Sequence, residues 1–400
     1  MEKKMKFESQ VIHAGDRKRD RPGAVPSTTP IHLSSTYFYE RSETLDRIFG
    51  HEEEGFSYSR YANPTNEALE ELAAVLDNGH GALATASGMT ALQLAFQAAL
   101  MDRPHKIVSS SSIYGATIKL LDQVLGAFGV DVTYVDTCDL EALERAIARE
   151  QPGCVFMESI SNPLVRVGQI DKIASLARAA GAAFVVDSTF STPMILRPLD
   201  LGANIVVHSA TKYLAGHGDV LGGIVVSDEQ HHEAVRALSR VVGGNLGPFE
   251  SYLTMRGIKT LAVRFERQCQ NARKLAECLA NHPCVDRVYY CSDPLHPDAA
   301  TIQRLFRLGM FGAILSFEIR GADRAAVMAF MNRLKLVVPG SSLGDVHTLL
   351  LYPVMASHRD VSPKMRERMG IRDNLVRVAA GIEAVDDIMA DLDSALRGSM

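Results

Sequence analysis

Residues 206–219 read VVHSATKYLAGHGD and are the most informative stretch of this chain for its fold. An apolar strand pattern ends there, two hydroxyl residues and a lysine follow, and a glycine-rich loop comes next. In α/β sheets, ligands bind at the carboxyl ends of strands, where this lysine lies. Lys212 can therefore form a Schiff base with an aldehyde cofactor. A lone lysine in a polar turn is more often a surface residue, so the interpretation depends on the neighbouring segments.

Short apolar runs alternate with helical patterns on both sides of this stretch. The runs predict seven strands, at Ala82–Thr85, Lys106–Ser109, Val132–Val135, Val155–Glu158, Phe184–Asp187, Ile205–His208 and Gly223–Val226. Helical periodicity lies between several of them, as at Leu140–Arg149 and Ile170–Ala180. This alternation predicts an α/β domain with a mostly parallel sheet.

The composition excludes several classes of function. Lys plus Arg is 42 and Asp plus Glu is 47, giving a net charge of −5, without the basic excess of a nucleic-acid-binding surface. No window approaches the ~18 consecutive apolar residues of a membrane span, and the charged start MEKKMKFESQ has no apolar stretch behind it. The six cysteines show no metal-ligand spacing. We therefore expect a soluble, reduced, cytoplasmic protein with no metal, no nucleic-acid partner and no membrane partner.

Changes in sequence texture predict three parts. Residues 1–62 are polar and contain spaced prolines, which indicates an extended arm. Their aromatic side chains indicate that the arm packs on another surface, and we expect that surface to be a neighbouring subunit. Residues 63–258 carry the strand and helix alternation and form a large cofactor-binding domain. A long, charged helical pattern at Phe249–Asn281 leads into a smaller α+β domain over residues 259–400.

Two further segments support a cofactor site. Residues 184–189 read FVVDST, an apolar strand that ends in Asp187. An aspartate there is often a helix cap, but it can also pair with a protonated pyridine nitrogen and keep the ring electron-poor. Residues 85–90 read TASGMT, a small-residue turn before a helix, whose N-terminal N–H groups can bind a phosphate. Together with Lys212 these features predict pyridoxal 5′-phosphate.

Seven motifs carry a resemblance to a known family: YSRYANPTN, ASGMTA, YGAT, VVDSTF, SATKYLAGHGD, SLGD and LVRVAAGIE. In this order, from about Phe7 to Leu396, the chain resembles the Cys/Met-metabolism pyridoxal-phosphate enzymes, which include methionine γ-lyases, cystathionine γ-synthases and O-acetylhomoserine sulfhydrylases. Within the family it is most similar to the methionine γ-lyases. The resemblance implies an aspartate-aminotransferase-type fold (fold type I). It also implies a homotetramer built from two catalytic dimers, and a small amino acid as substrate.

The resemblance implies a role for each matching residue. Lys212 would hold the cofactor covalently, Asp187 would pair with its ring nitrogen, and Tyr114 would stack on its ring. Tyr58 and Arg60 would reach the phosphate of the neighbouring subunit's cofactor. The remaining phosphate ligands implied in this way are Gly88, Met89, Ser209 and Thr211.

Arg377 matches the arginine that binds the substrate carboxylate, and Asn162 and Ser342 match its helpers. A planar guanidinium suits this task because it binds a carboxylate through two parallel hydrogen bonds. A departure from the methionine γ-lyase pattern occurs at Ala116, where those enzymes have a cysteine. The segments 349–353 and 357–360 depart from that pattern as well. Both departures leave the preferred leaving group open.

The expected activity is γ-elimination from an L-amino acid with a leaving group on Cγ, giving 2-oxobutanoate and ammonia. For methionine the leaving group is a thiol. The aspartate of SLGD resembles methionine γ-lyases and homoserine sulfhydrylases, which disfavours cystathionine as the substrate. The loop 212–219 and the segment 255–261 resemble the lyase more than the sulfhydrylase, and the apolar run Leu349–Leu351 would line a pocket or form plain core. The alternatives are γ-replacement on an O-acyl-homoserine, a non-thiol leaving group such as that of canavanine, and a cofactor-binding protein without catalysis.

Overall fold

The computed structural model describes residues 5–15, 25–50, 52–359, 361 and 363–398 of the 400-residue chain. Within these residues the α-helices are α1 (Phe7–His13), α2 (Ser42–Phe49), α3 (Pro64–Asp77), α4 (Gly88–Leu100), α5 (Gly115–Lys119), α6 (Leu140–Glu150), α7 (Ile170–Ala179), α8 (Thr192–Ile195), α9 (Glu229–Val242), α10 (Pro248–Ile258), α11 (Leu261–Ala280), α12 (Ala299–Leu305), α13 (Arg324–Arg333), α14 (Pro363–Arg368) and α15 (Val385–Arg397). The strands are β1 (Gly81–Thr85), β2 (Lys106–Ser110), β3 (Asp131–Val135), β4 (Cys154–Glu158), β5 (Ala183–Asp187), β6 (Ile205–His208), β7 (Gly223–Ser227), β8 (Val285–Tyr289), β9 (Ile314–Ile319), β10 (Val338–Pro339), β11 (Leu349–Leu351) and β12 (Leu375–Ala379). None of the described helices is long and apolar enough to cross a membrane.

The first seven strands form one sheet in the order β1-β7-β6-β5-β4-β2-β3. Only β7 runs antiparallel to its neighbours, so the predicted mostly parallel sheet is confirmed, and each predicted strand lies within one residue of its observed bounds. Both faces are covered by helices, which explains why β4 and β6 are continuous apolar runs. The carboxyl ends of β4, β5 and β6 lie side by side and carry Glu158, Asp187 and His208.

The other five strands form a second sheet in the order β10-β11-β12-β9-β8. Strand β12 is central, and Arg377 pairs in register with Ser316 of β9 and with Leu351 of β11. The apolar run at 349–351 is therefore a sheet strand, and Leu350 is completely buried in the hydrophobic core that packs on this second sheet. Core packing, rather than a pocket, accounts for the hydrophobic character of Leu350.

The long helical pattern predicted at 249–281 is divided into α10 and α11. Near the division, Gly257 packs against the loop that follows Lys212. A Cβ atom on Gly257 would lie 2.1 Å from the carbonyl oxygen of Ala215, so only glycine allows this approach. The helical pattern of apolar residues continues from α10 into α11, so the sequence predicted one helix instead of two.

The described residues of the N-terminal segment contain two helices, α1 and α2, and one β-bridge, whereas the sequence predicted an extended arm. Helix α1 buries Phe7 and Val11 in the hydrophobic core that packs on the first sheet. Residue 36 forms an isolated β-bridge with residue 58. Two large apolar side chains of this segment are strongly exposed, Leu33 (76%) and Phe38 (94%). Residues 1–4, 16–24 and 51 of the predicted arm lie outside the described residues. The boundaries at 62/63 and 258/259 and the contact with a neighbouring subunit stay predictions.

Candidate active site

Lys212 lies in a tight turn directly after β6. Its backbone N–H donates to the carbonyl of Ser209 (3.1 Å), and its own carbonyl accepts from Gly216 (2.8 Å). The ammonium Nζ donates to Oγ of Ser342 at 3.0 Å. Burial and the nearby Arg377 cation lower the pKa of Lys212 to about 8. An amine with this pKa is partly neutral near neutral pH, as covalent binding of an aldehyde and proton transfer both require.

Arg377 projects from the centre of the second sheet and is only 2% exposed. Its Nη1 donates to Oδ1 of Asn162 (3.0 Å), and its Nη2 donates to the carbonyl of Ser342 (3.1 Å). Among the described residues, its buried Nε has no hydrogen-bond partner. Burial lowers the pKa of Arg377 to about 10, which still leaves it cationic at neutral pH. The structure thus brings Arg377, Asn162 and Ser342 together beside Lys212, with donor capacity left for an anionic ligand.

Asp187 lies at the carboxyl end of β5. The adjacent strand in the sheet is β6, which leads to Lys212, and β7 lies beyond β6. Its Oδ1 accepts the backbone N–H of Thr189 (2.9 Å), and Oγ1 of Thr189 accepts the backbone N–H of Ser209 (2.9 Å). Burial raises the pKa of Asp187, while Thr189 and the cation of His208 act in the opposite direction. A cationic ring nitrogen beside this carboxylate would offset the cost of burial.

The turn before α4 has the geometry of an anion cradle. Ser87 caps the helix by accepting the N–H of Thr90 (3.1 Å), while the N–H groups of Gly88 and Met89 belong to the first turn, where intrahelical acceptors are lacking. A Cβ atom on Gly88 would lie 2.9 Å from Cβ of Ser209, so glycine is needed for these two segments to meet.

The hydroxyl of Thr211, two residues beyond Ser209, bonds to the backbone of Gly222. It donates to the Gly222 carbonyl (3.2 Å) and accepts the Gly222 N–H (3.0 Å). Of the predicted phosphate ligands, Ser209 therefore lies against Gly88 at the start of α4, whereas the hydroxyl of Thr211 links the lysine turn to Gly222.

Tyr114 precedes α5, and the residue is 41% exposed. Its backbone N–H donates to Oε1 of Glu158 at 2.6 Å. A cavity of about 400 Å³ adjoins it, lined partly by Ala116 and Ser357. An exposed aromatic face next to a cavity is suited to stacking on a planar ring. The segment at 357–360 includes Asp360, which lies outside the described residues.

Tyr58 and Arg60 form a separate group. The guanidinium carbon of Arg60 lies 5.5 Å from the ring centroid of Tyr58 and 4.9 Å from that of Tyr61. Among the described residues, no hydrogen bond or ion pair joins this group to Lys212, Asp187 or Arg377. Their predicted reach into another subunit's site therefore stays a prediction.

Sequence reasoning missed two residues of this site. Glu158 ends β4 as Asp187 ends β5, and a search for carboxylates at strand ends would have found it. Thr189 links Asp187 to Ser209, and the Asp-x-Thr spacing is a recognisable local hydrogen-bonding pattern.

The residues fit pyridoxal phosphate on two observations of this structure. The amine of Lys212, whose pKa burial lowers to about 8, suits covalent binding of the cofactor aldehyde, whereas the unpaired, buried Nε of Arg377 points to the anion of the substrate. The close approach of Gly88 to Ser209 leaves no room for a side chain at position 88 and brings the N-terminus of α4, a position suited to phosphate, next to the loop that leads to Lys212. The chemistry of the set is consistent with this: an amine, a carboxylate, an aromatic face and backbone donors.

Comparisons with known proteins agree with this geometry. Residues 8–397 match the family described as Cys/Met metabolism PLP-dependent enzyme. The chain is 38% identical over 397 residues to an L-methionine γ-lyase of Fusobacterium nucleatum subsp. polymorphum, covering 98% of both chains. It is 37% identical over 386 residues to an O-succinylhomoserine sulfhydrylase of Pseudomonas aeruginosa, covering 96% of this chain and 94% of the other.

Among solved structures, the chain superimposes on cystathionine γ-lyase from Lactobacillus plantarum, complexed with L-serine. The TM-score is 0.90 at 36% identity, and the match covers 98% of this chain and 99% of the other. The predicted fold type I architecture is thereby confirmed. The chain belongs to the Cys/Met-metabolism family of PLP-dependent enzymes, and its cofactor is pyridoxal 5′-phosphate.

Proposed function

We propose that the protein catalyses γ-elimination from an L-amino acid with a leaving group on Cγ, as in methionine, and releases 2-oxobutanoate, ammonia and the leaving group. The proposal rests on Ser342, which connects Lys212 to the buried Arg377. The Ser342 hydroxyl accepts from Nζ of Lys212, and the Ser342 carbonyl accepts from Nη2 of Arg377. This arrangement places an amine of lowered pKa next to a fixed cation. An α-amino acid held by its carboxylate would therefore present its Cα to Lys212.

Each group then has a definite task. Arg377 binds the substrate carboxylate through two donors, and Asn162 and Ser342 fix the guanidinium plane. Pyridoxal phosphate, when bound, supplies an electron sink that makes the Cα proton acidic. Lys212, once released from the cofactor, removes the Cα proton. Loss of a Cβ proton then allows the Cγ substituent to leave with a proton, for which Tyr114 is the candidate acid. Water hydrolyses the remaining unsaturated amine to 2-oxobutanoate and ammonia.

Elimination from a methionine-like substrate is supported by similarity and by local chemistry. The methionine γ-lyase of Fusobacterium nucleatum is 38% identical over nearly all of both chains. The lining of the cavity beside Tyr114 includes the apolar Ala116, Ile118 and Val361. A small, weakly polar γ-substituent is compatible with such a wall.

A second candidate is γ-replacement on an O-acyl-homoserine, in which sulfide or cysteine takes the place of the acyl group. The observation in its favour is the 37% identity to an O-succinylhomoserine sulfhydrylase. The lining of the same cavity also includes the polar Lys119, Asp122 and Gln123, which suits a more polar leaving group, including that of canavanine.

The proposed assembly is a homotetramer in which each catalytic dimer shares two sites. The exposed Leu33 and Phe38 of the N-terminal segment provide an apolar surface for a neighbouring subunit. Tyr58 and Arg60 follow this surface in the chain and would approach the partner's cofactor phosphate.

A substrate panel tests the proposed function. The purified holoenzyme is incubated, without added nucleophile, with methionine, homocysteine, canavanine, O-acetylhomoserine and cystathionine, and the keto acids are identified by mass spectrometry. We expect 2-oxobutanoate from at least one γ-substituted amino acid and none from the Lys212→Ala variant. Pyruvate as the dominant product from cystathionine would instead indicate β-elimination and contradict the proposal.

A further inference from the structure

Glu158 is a buried carboxylate next to the cofactor partner Asp187. It ends β4, it is paired in register with Asp187 on the adjacent parallel strand β5, and it is 7% exposed. Side chains paired in this way point to the same face of a sheet. Burial and the negative charge of Asp187 both raise the pKa of Glu158. A second acidic group at such a place is costly unless it has a specific task.

The two oxygens of Glu158 accept from two different active-site segments. Oε1 accepts the backbone N–H of Tyr114 at 2.6 Å, and Oε2 accepts the backbone N–H of Asn162 at 3.1 Å. Tyr114 carries the exposed ring, and the side chain of Asn162 accepts a hydrogen bond from Arg377. One carboxylate therefore connects the residue that would stack on the cofactor to the residue that orients the carboxylate-binding arginine.

We infer that Glu158 is a positioning residue that fixes the spacing between the ring of Tyr114 and the guanidinium of Arg377. The inference rests on the proposed roles of Tyr114 and Arg377. Because both contacts are to backbone N–H groups, the side chain of Glu158 positions the backbone at Tyr114 and Asn162 independently of the conformation of those two side chains. Glutamate suits the position because it offers two equivalent acceptors on a rigid end group anchored to a sheet strand.

An amide cannot replace this carboxylate without loss. In Glu158→Gln one acceptor oxygen becomes an NH₂ donor, which would face a backbone N–H group. One of the two segments must then move away from the strand end. Glu158→Asp keeps both acceptors but withdraws them by one methylene, so both segments are held less closely.

Glu318 provides a matched control. It is a buried glutamate (1% exposed) in β9 of the second sheet, and it too accepts two hydrogen bonds, from the hydroxyl of Tyr289 (2.6 Å) and from Nη1 of Arg372 (3.0 Å). Its partners lie outside the group formed by Lys212 and Arg377. Although Glu318 pairs in register with Leu375 on the strand that carries Arg377, neither of its hydrogen bonds reaches Lys212, Asn162 or Arg377, so Glu318→Gln removes comparable contacts without breaking one within the site.

The test measures substrate-analogue binding and cofactor environment in the holoenzymes. L-Norvaline has the α-amino acid part but no γ leaving group, so its dissociation constant reports on Arg377 whether or not γ-elimination is the reaction. The circular dichroism of the cofactor absorbance band reports on ring stacking, and the thermal midpoint reports on stability. We expect Glu158→Gln to weaken norvaline binding about tenfold, the effect of misplacing one charge-assisted contact, and to change the cofactor band.

Two comparisons decide the outcome. Glu318→Gln should lower the thermal midpoint as much as Glu158→Gln while leaving norvaline binding and the cofactor band at wild-type values. Glu158→Asp should fall between wild type and Glu158→Gln in both site readouts, and it provides the same test if the glutamine variant does not fold. Wild-type norvaline affinity and an unchanged cofactor band in both Glu158 variants would overturn the inference. Equal changes in Glu318→Gln would overturn it as well, since a general structural effect would then explain them.

Discussion

Replacing Arg377 with lysine tests whether the substrate carboxylate binds where the geometry indicates. Arg377 donates one hydrogen bond to Asn162 (3.0 Å) and one to Ser342 (3.1 Å). Its unpaired Nε and its further N–H groups can still donate to a ligand. A lysine keeps the positive charge but has a single nitrogen. It cannot hold both protein acceptors and also bind a carboxylate through two parallel bonds.

The expected loss follows from this count of donors. At least one charge-assisted hydrogen bond to the substrate disappears, which costs about 1.5–3 kcal/mol. At about 1.4 kcal/mol per tenfold change, KM should rise by about ten- to a hundredfold. The effect on kcat should be smaller, because Lys212 still reaches any substrate that does bind.

Steady-state kinetics of the holoenzyme, with kcat and KM determined separately, provide the measurement. Arg372→Lys is a suitable control, since the Arg372 side chain is 70% exposed and pairs with Glu318. A KM for Arg377→Lys within twofold of wild type, with cofactor bound, would refute the assignment of Arg377 to the carboxylate.

Four further predictions concern the cofactor and the assembly. Burial lowers the pKa of Lys212 from 10.5 to about 8, so between these pH values the cofactor-free native state binds fewer protons than the unfolded state. Its free energy of unfolding should therefore rise with pH in this window relative to Lys212→Met, and parallel pH slopes in denaturant titrations would contradict the assignment. Asp187→Asn should weaken cofactor binding in equilibrium dialysis and slow Cα proton exchange by orders of magnitude, whereas wild-type exchange would make Asp187 a structural residue. Gly88→Ala should weaken cofactor binding, because the new Cβ would lie 2.9 Å from Cβ of Ser209, and an unchanged dissociation constant would exclude the α4 cradle. Mixing inactive Arg60→Ala and Lys212→Ala protomers should restore some activity through hybrid sites, and no recovery despite proven subunit exchange would show that each site comes from one chain.

The sequence was most predictive where function and local pattern coincide. Lys212 and Asp187 follow continuous apolar runs, so their positions at strand ends were predictable from residue order alone. The seven strands of the first sheet were predictable for the same reason, because a parallel sheet is buried on both faces and its strands lack polar interruptions. The role proposed for Arg377, by contrast, came only from the family resemblance, since nothing in its local sequence shows that it faces Lys212.

Contacts between segments distant in sequence account for what was missed. Glu158 accepts a hydrogen bond from the backbone of Tyr114, 44 residues away, and Gly257 of α10 packs against Ala215 in the loop that follows Lys212. The burial of Phe7 and Val11 against the first core was also hidden, because the surrounding N-terminal sequence is polar. These are tertiary effects, and local periodicity carries no signal for them.

The most direct test of the proposed γ-elimination is the partition of O-acetylhomoserine in the presence of sulfide. The purified holoenzyme is given O-acetylhomoserine with and without sulfide, and 2-oxobutanoate and homocysteine are measured in the same reaction, with methionine as a second substrate. The account predicts 2-oxobutanoate without sulfide from at least one of the two substrates, and continued 2-oxobutanoate formation when sulfide is present. Background 2-oxobutanoate from both, together with rapid sulfide-dependent formation of homocysteine, would contradict it and establish γ-replacement.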